Sequence, residues 1–152
     1  MKALSVMILL AAALPAAAQG GMQLYPSPAS LHWKPAPPTM PKGVMVAVLE
    51  GDPTKPGLFT MRIRFPAGTE VKPHFHSTTE HATVISGVLH IGMGDTFDRA
   101  HTTTMSPGTF GFWQAGTHHF AWMEGETTLQ LHGEGPWTVT YVHPSDDPRH
   151  AH

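Results

Sequence analysis

Gly68-Thr69-Glu70-Val71-Lys72-Pro73-His74-Phe75-His76-Ser77-Thr78-Thr79-Glu80-His81-Ala82-Thr83-Val84-Ile85-Ser86-Gly87 is the stretch on which the reading of this chain turns. Side chains two apart on a strand share a face, so His74 and His76 can present both imidazoles to one side while Phe75 points away. Glu80 follows across a short Ser/Thr connection and can add a carboxylate oxygen to the same place. Ala82 and Val84 continue its face in an alternating run, which would surround the polar cluster with small apolar neighbours. Half a metal clamp is therefore visible in thirteen consecutive residues, 68–80. Its remaining ligand must come from a distant strand, and His118 and His119 are the candidates.

Spacing alone would not support this. The chain has 12 His in 152 residues, a frequency at which an H-x-H pair arises by chance roughly once. Two such pairs occur, His74/His76 and His150/His152. The first pair is distinguished by its frame of Gly68, Glu80 and Gly87, whose joint chance is on the order of 4 in 10,000.

Working outward, short runs rich in Val, Ile, Thr and aromatics alternate with turn clusters, and no 3.6-residue apolar period persists. Strands are expected at Val44 to Leu49, Phe59 to Phe65, around His74-Phe75, His81 to Ile85, Val88 to Gly92, Thr102 to Met105, Thr109 to Trp113, His119 to Trp122, Thr127 to His132 and Trp137 to His143. Segments such as Gly51-Asp52-Pro53, Ser86-Gly87, Pro107-Gly108 and Ala115-Gly116 supply the turns between them. The domain is read as all-β, a sandwich or barrel. Residues 1–18 carry Lys2, an apolar run and a Pro15-Ala16-Ala17-Ala18 end, and read as a secretory signal too short to span a bilayer. The expected location is accordingly periplasmic or secreted. Residues 19–43 form a Pro-rich arm whose Leu24, Tyr25, Leu31 and Trp33 are expected to anchor it along the domain. The barrel is placed at 44–143 and a polar tail at 144–152.

Composition removes several classes of function. There are 9 Lys+Arg against 11 Asp+Glu, and charged residues make up 13% of the chain, so no basic stripe exists to bind nucleic acid. With no cysteine, disulfides, thiolate metal sites and thiol nucleophiles are all excluded. Any metal must bind through nitrogen and oxygen. The Met residues outside the signal do not cluster and read as core filler.

The pattern G-x5-H-x-H-x3-E-x6-G resembles the first motif of the cupin superfamily, which Gly68, His74, His76, Glu80 and Gly87 match at every specified position. The second cupin motif, G-x5-P-x-G-x2-H-x3-N, aligns with Gly108, Gln114, Gly116, His119 and Met123. Gln114 stands there in place of the proline and Met123 in place of the asparagine. This spacing selects His119 over His118. The resemblance implies a double-stranded β-helix, a jelly-roll-like barrel, holding one divalent metal by His74, His76, Glu80 and His119. That ligand set suits Mn, Fe, Co, Ni, Cu or Zn without choosing among them.

The function expected from the resemblance is metal-dependent chemistry on a small oxygenated metabolite, with an oxygenase ahead of a lyase or isomerase. A non-catalytic metal- or small-ligand-binding or sensing module is the alternative. Glu80 is the candidate catalytic base, and His132 is weighed as a second base lining the pocket. Arg62 and Arg64 share one strand face, which either orients an anionic substrate or is solvated. A small-molecule ligand is the expected partner, with neither nucleic acid nor a membrane span, and the arm would suit a homodimer.

Overall fold

Alternation of buried and more exposed side chains assigns the faces of three of the longer strands. The computed structural model describes residues 23–25 and 27–150. The segment read as a signal, 1–18, and His152 lie outside them. The strands are β1 (Lys34–Pro35), β2 (Met45–Glu50), β3 (Gly57–Phe65), β4 (Glu70–His76), β5 (Glu80–Ser86), β6 (Leu89–Met93), β7 (Thr103–Met105), β8 (Phe110–Trp113), β9 (His119–Met123), β10 (Thr127–Gly135) and β11 (Val139–Tyr141). They form two antiparallel sheets, a six-stranded one ordered β1-β2-β3-β10-β5-β8 and a five-stranded one ordered β11-β4-β9-β6-β7. No helix among the described residues is long and apolar enough to cross a membrane.

On β3, Phe59, Met61, Ile63 and Phe65 turn inward, and Thr60, Arg62 and Arg64 turn out. On β10, Leu129 and Leu131 share the inner face with Thr127 and Gly133. Ala82 and Val84 of β5 and Ala121 and Met123 of β9 complete a core between the two sheets. β-Branched, aromatic and small residues fill the pleats, so β3, β5 and β10 each bury one face, whereas β9 buries Phe120 as well as His119 and Ala121.

Gly87 closes β5 with φ of +79°, and a Cβ there would stand 2.3 Å from the Glu126 carbonyl oxygen. Only glycine fits this turn. Gly92 admits the ring of Phe120, whose nearest atom would lie 2.1 Å from an added Cβ. Phe97 also lies against that ring, 5.2 Å away between centroids.

β4 breaks simple alternation. Val71, His74 and His76 all line the interior, although Val71 and His74 are an odd number of residues apart. The register against β9 shifts between Val71 and His74, a bulge that places Pro73 where no ladder donor is required and reverses the phase of the strand beyond it.

The described part of the arm packs on the domain. Leu31 is buried, Tyr25 Oη donates to the Leu49 carbonyl at 2.8 Å, and Trp33 lies beneath the Arg64 guanidinium at 4.5 Å. β1 pairs with the edge of β2, and the chain then carries Met40 to the wall of the interior. The last expected strand, Trp137 to His143, is shorter than the alternation implied. Trp137 sits in the preceding loop, its backbone N–H bound to the Pro53 carbonyl at 2.8 Å. In the tail, Asp147 is buried and bound by the Arg149 side chain.

Candidate metal centre

Two strands and one bulge bring the imidazoles together. His74 and His119 are cross-strand partners on β4 and β9, with ring centroids 4.3 Å apart. His76 lies 5.0 Å from His74 and 5.1 Å from His119. The nitrogens that the three rings can offer lie within 4.8 Å of one another. All three residues are at most 5% exposed.

Each ring is fixed by its other nitrogen. His74 Nδ1 donates to the Lys72 carbonyl at 2.7 Å, His76 Nδ1 to the Thr138 carbonyl at 3.0 Å, and His119 Nδ1 to the Thr117 carbonyl at 2.9 Å. A carbonyl can only accept, so the proton of each neutral ring sits on Nδ1 and the Nε2 lone pair is left for the centre. Local connections hold these acceptors in place. Ser77 Oγ donates to the Pro136 carbonyl and accepts from the Thr138 N–H, and the Gly116 N–H donates to the His76 carbonyl at 3.0 Å. The loop of the second motif is thereby tied to the strand of the first.

Glu80, first residue of β5, enters from the opposite sheet. Its Oε2 lies 2.9 Å from His76 Nε2 and 3.4 Å from His119 Nε2. The nearer contact is misaligned, because His76 Nε2 is buried and makes no hydrogen bond. Burial alone would push the Glu80 carboxyl up, but the His76 and His119 imidazoles beside it outweigh burial and hold the acid well below the usual carboxylate range. Burial, with the like charges of His119 and His76, pushes His74 down to about 3, so its ring is neutral at pH 7. A buried carboxylate needs a counter-charge, supplied either by protonated imidazole or by a cation. The orphaned Nε2, the three fixed tautomers and the N/O donor set fit a divalent transition metal.

The surrounding walls are apolar. Trp137 stacks on His76 at 4.4 Å and 16°, and Trp113 on His119 at 5.4 Å and 20°. A cavity of about 50 Å³ adjoins the cluster, walled by residues such as Ile63, Leu89, Met123 and Leu131.

His132 does not join the site. Leu131 and Gly133 occupy the inner face of β10, so alternation turns His132 outward, exposed and stacked on His81 at 4.8 Å and 12°. A role as a base in this cavity is corrected by that parity. Arg62 and Arg64 likewise face outward, Arg62 donating to Gln130 Oε1 at 3.2 Å. His118 pairs with Asp95 outside the cluster. Trp113 and Trp137 are aromatic wall residues by sequence alone, whereas their stacking on the ligand rings, and the backbone carbonyls of Lys72, Thr117 and Thr138 that fix those rings, have no sequence counterpart. For the carbonyls no sequence signal exists, since any residue supplies one.

A model of the family described as Domain of unknown function (DUF4437) matches residues 26–140, and the chain belongs to that family. No curated protein matches the sequence. Among solved structures, the polyketide cyclase RemF from Streptomyces resistomycificus superposes with a TM-score of 0.66 at 17% identity, over 84% of this chain and 90% of that one. An RmlC-like cupin from Shewanella frigidimarina NCIMB 400 gives 0.56 at 16% identity, over 74% and 91%. A salicylate 1,2-dioxygenase from Pseudaminobacter salicylatoxidans gives 0.54 at 18% identity, over 68% of this chain and 32% of that one. The chain thus spans about a third of the dioxygenase. These likenesses establish the cupin fold.

Proposed function

We propose that this member of the DUF4437 family is an exported, metal-dependent cupin that transforms a small oxygenated molecule, with oxygenation the leading reaction class. The observation that carries the reading is the convergence of His74, His76, His119 and Glu80 on one buried point beside a cavity. Neighbours of the same fold include a dioxygenase and a cyclase, which supports small-molecule chemistry without selecting the substrate.

A divalent metal bound there would supply Lewis-acid polarisation of a substrate oxygen and open positions for chelation. The chain's own groups do the rest. His74, His76 and His119 present Nε2 lone pairs fixed by backbone carbonyls. Glu80, kept ionised, serves as anionic ligand and as acceptor for a substrate proton. Trp113, Trp137 and the aliphatic walls exclude water, which raises the strength of every charge interaction at the cluster.

The test is elemental analysis of the untagged, natively exported protein beside His119→Ala, followed by oxygen uptake with the metal found. The expected result is about one Mn, Fe, Co, Ni, Cu or Zn per chain, lost in the variant. A mature N-terminus at Gln19 in the periplasmic or secreted fraction is expected from the signal. Protein that binds none of these metals at neutral pH would overturn the reading. Retained metal without turnover of any oxygenated substrate would assign the site to binding.

A further inference from the structure

We infer that the occupant of this site is a predominantly apolar molecule with one oxygen-bearing end, whose apolar part passes Trp137 into a second chamber, and that polyhydroxylated or multiply charged molecules are excluded. The inference rests on the metal-site reading above and specifies the class of molecule that the site takes.

The inner cavity, at about 50 Å³, has room for only a few waters, each needing about 10–15 Å³ on this measure. It can hold a head group and little more. Apart from the three imidazoles and Glu80, its walls are hydrocarbon and aromatic, and neither Lys nor Arg lines it. The β3 arginines that could have served face the opposite side of the sheet, toward Gln130 and Trp33. Beyond the three imidazoles, Glu80 and one indole N–H, further sugar hydroxyls or a second anionic group placed here would lose their water and find no partner.

A second space lies beyond one wall of this cavity. Met40, Ile63, Trp137 and Val139 line both this cavity and a second one of about 340 Å³. The outer chamber lies between the edge of β2 and the loop before β11, with Val46, Val48 and Met61 on its walls. Its polar groups are largely committed elsewhere: the Arg149 guanidinium to both oxygens of Asp147, and the Thr54 hydroxyl to Asp52. Trp137, in the shared wall, carries an Nε1–H that is buried and has no acceptor. An oxygen on the head of the occupant would supply that acceptor, while the larger chamber receives its apolar remainder.

The experiment uses the full mature protein loaded with zinc, which is redox-silent, and isothermal titration with three probes. These are 1-phenylbutane-1,3-dione, pentane-2,4-dione, which shares its head but lacks the ring, and D-galacturonate. The phenyl compound is expected to bind at least about tenfold more tightly than pentane-2,4-dione, as burial of a ring predicts, and galacturonate to show no saturable binding. Val48→Asp changes a half-exposed position of the outer chamber alone. It should reduce the phenyl preference to less than about threefold while leaving pentane-2,4-dione affinity as it was. Trp137→Phe, which keeps a ring on His76 but removes the N–H, should weaken both diketones about fivefold or more with zinc stoichiometry unchanged. Galacturonate binding as tightly as the phenyl compound, or a phenyl preference intact in folded Val48→Asp, would overturn the inference and leave the metal site standing. Failure of zinc itself to bind would overturn both.

Discussion

Acidification of the metal-free protein should expose the burial of His74 as a loss of stability. Its pKa in the folded state, about 3, lies below the ordinary 6.5. Between those values the unfolded chain holds a proton that the folded chain does not, so each step down in pH favours unfolding. The stabilisation is complete above the unfolded value and is lost as pH falls from about 6.5 toward about 3. At about 1.36 kcal/mol per pH unit, the loss approaches 3 kcal/mol by pH 4.5 and is on the order of 5 kcal/mol at pH 3. That is a large share of the roughly 5–15 kcal/mol that holds a domain together. Glu80, whose acid is also held low, adds to the loss below its unfolded range, so pH 4.5 is the point at which the histidine is read most cleanly. The assay is urea unfolding of chelator-stripped protein at pH 7.5, 6.5, 5.5 and 4.5, with His74→Phe alongside. Phe keeps a ring in the slot against His119 and Tyr141 and removes the titrating group. A constant offset between the two proteins comes from the Lys72 carbonyl that loses its donor, whereas the difference in slope belongs to His74. Parallel pH profiles for the two proteins would refute the claim that this imidazole is buried neutral.

Gly92→Ala should destabilise the fold by about 1–3 kcal/mol in urea, because the Phe120 ring, buried against Phe97, stands 2.1 Å from the new Cβ and must move; unchanged stability would mean that the ring is not held as described. His132→Ala should alter stability by less than about 0.5 kcal/mol and leave metal content and turnover unaffected, since its side chain faces solvent on the far side of β10. A variant with intact metal and lost turnover would return His132 to the mechanism.

Much of the site could be read from one strand and the turn after it. His74, His76 and Glu80 lie within seven residues, and alternation plus a tight connection is enough to suggest that they meet. His119 needed the second motif, because local sequence offered two adjacent histidines of opposite parity and no account of which faces in. His132 illustrates the limit of the same rule. Leu129 and Leu131 already marked the inner face of β10, and the outward parity of His132 followed from them. The polar character of the residue suggested chemistry where the strand geometry did not permit it.

The amino-acid order by itself determined the all-β class, the turn positions and the ligand types, since period-two patterning and glycine turns act over a few residues. Only the tertiary structure decided the phase of β4, where the bulge before His74 lets Val71, His74 and His76 line one interior. The same holds for the carbonyl that each ring bonds, the stacking of Trp137 and Trp113, and the chamber closed by Met40 from the arm. Each of these depends on which strands become neighbours across two sheets. That pairing is fixed by cross-strand hydrogen bonds and by joint burial of residues distant in sequence, and no local pattern encodes it.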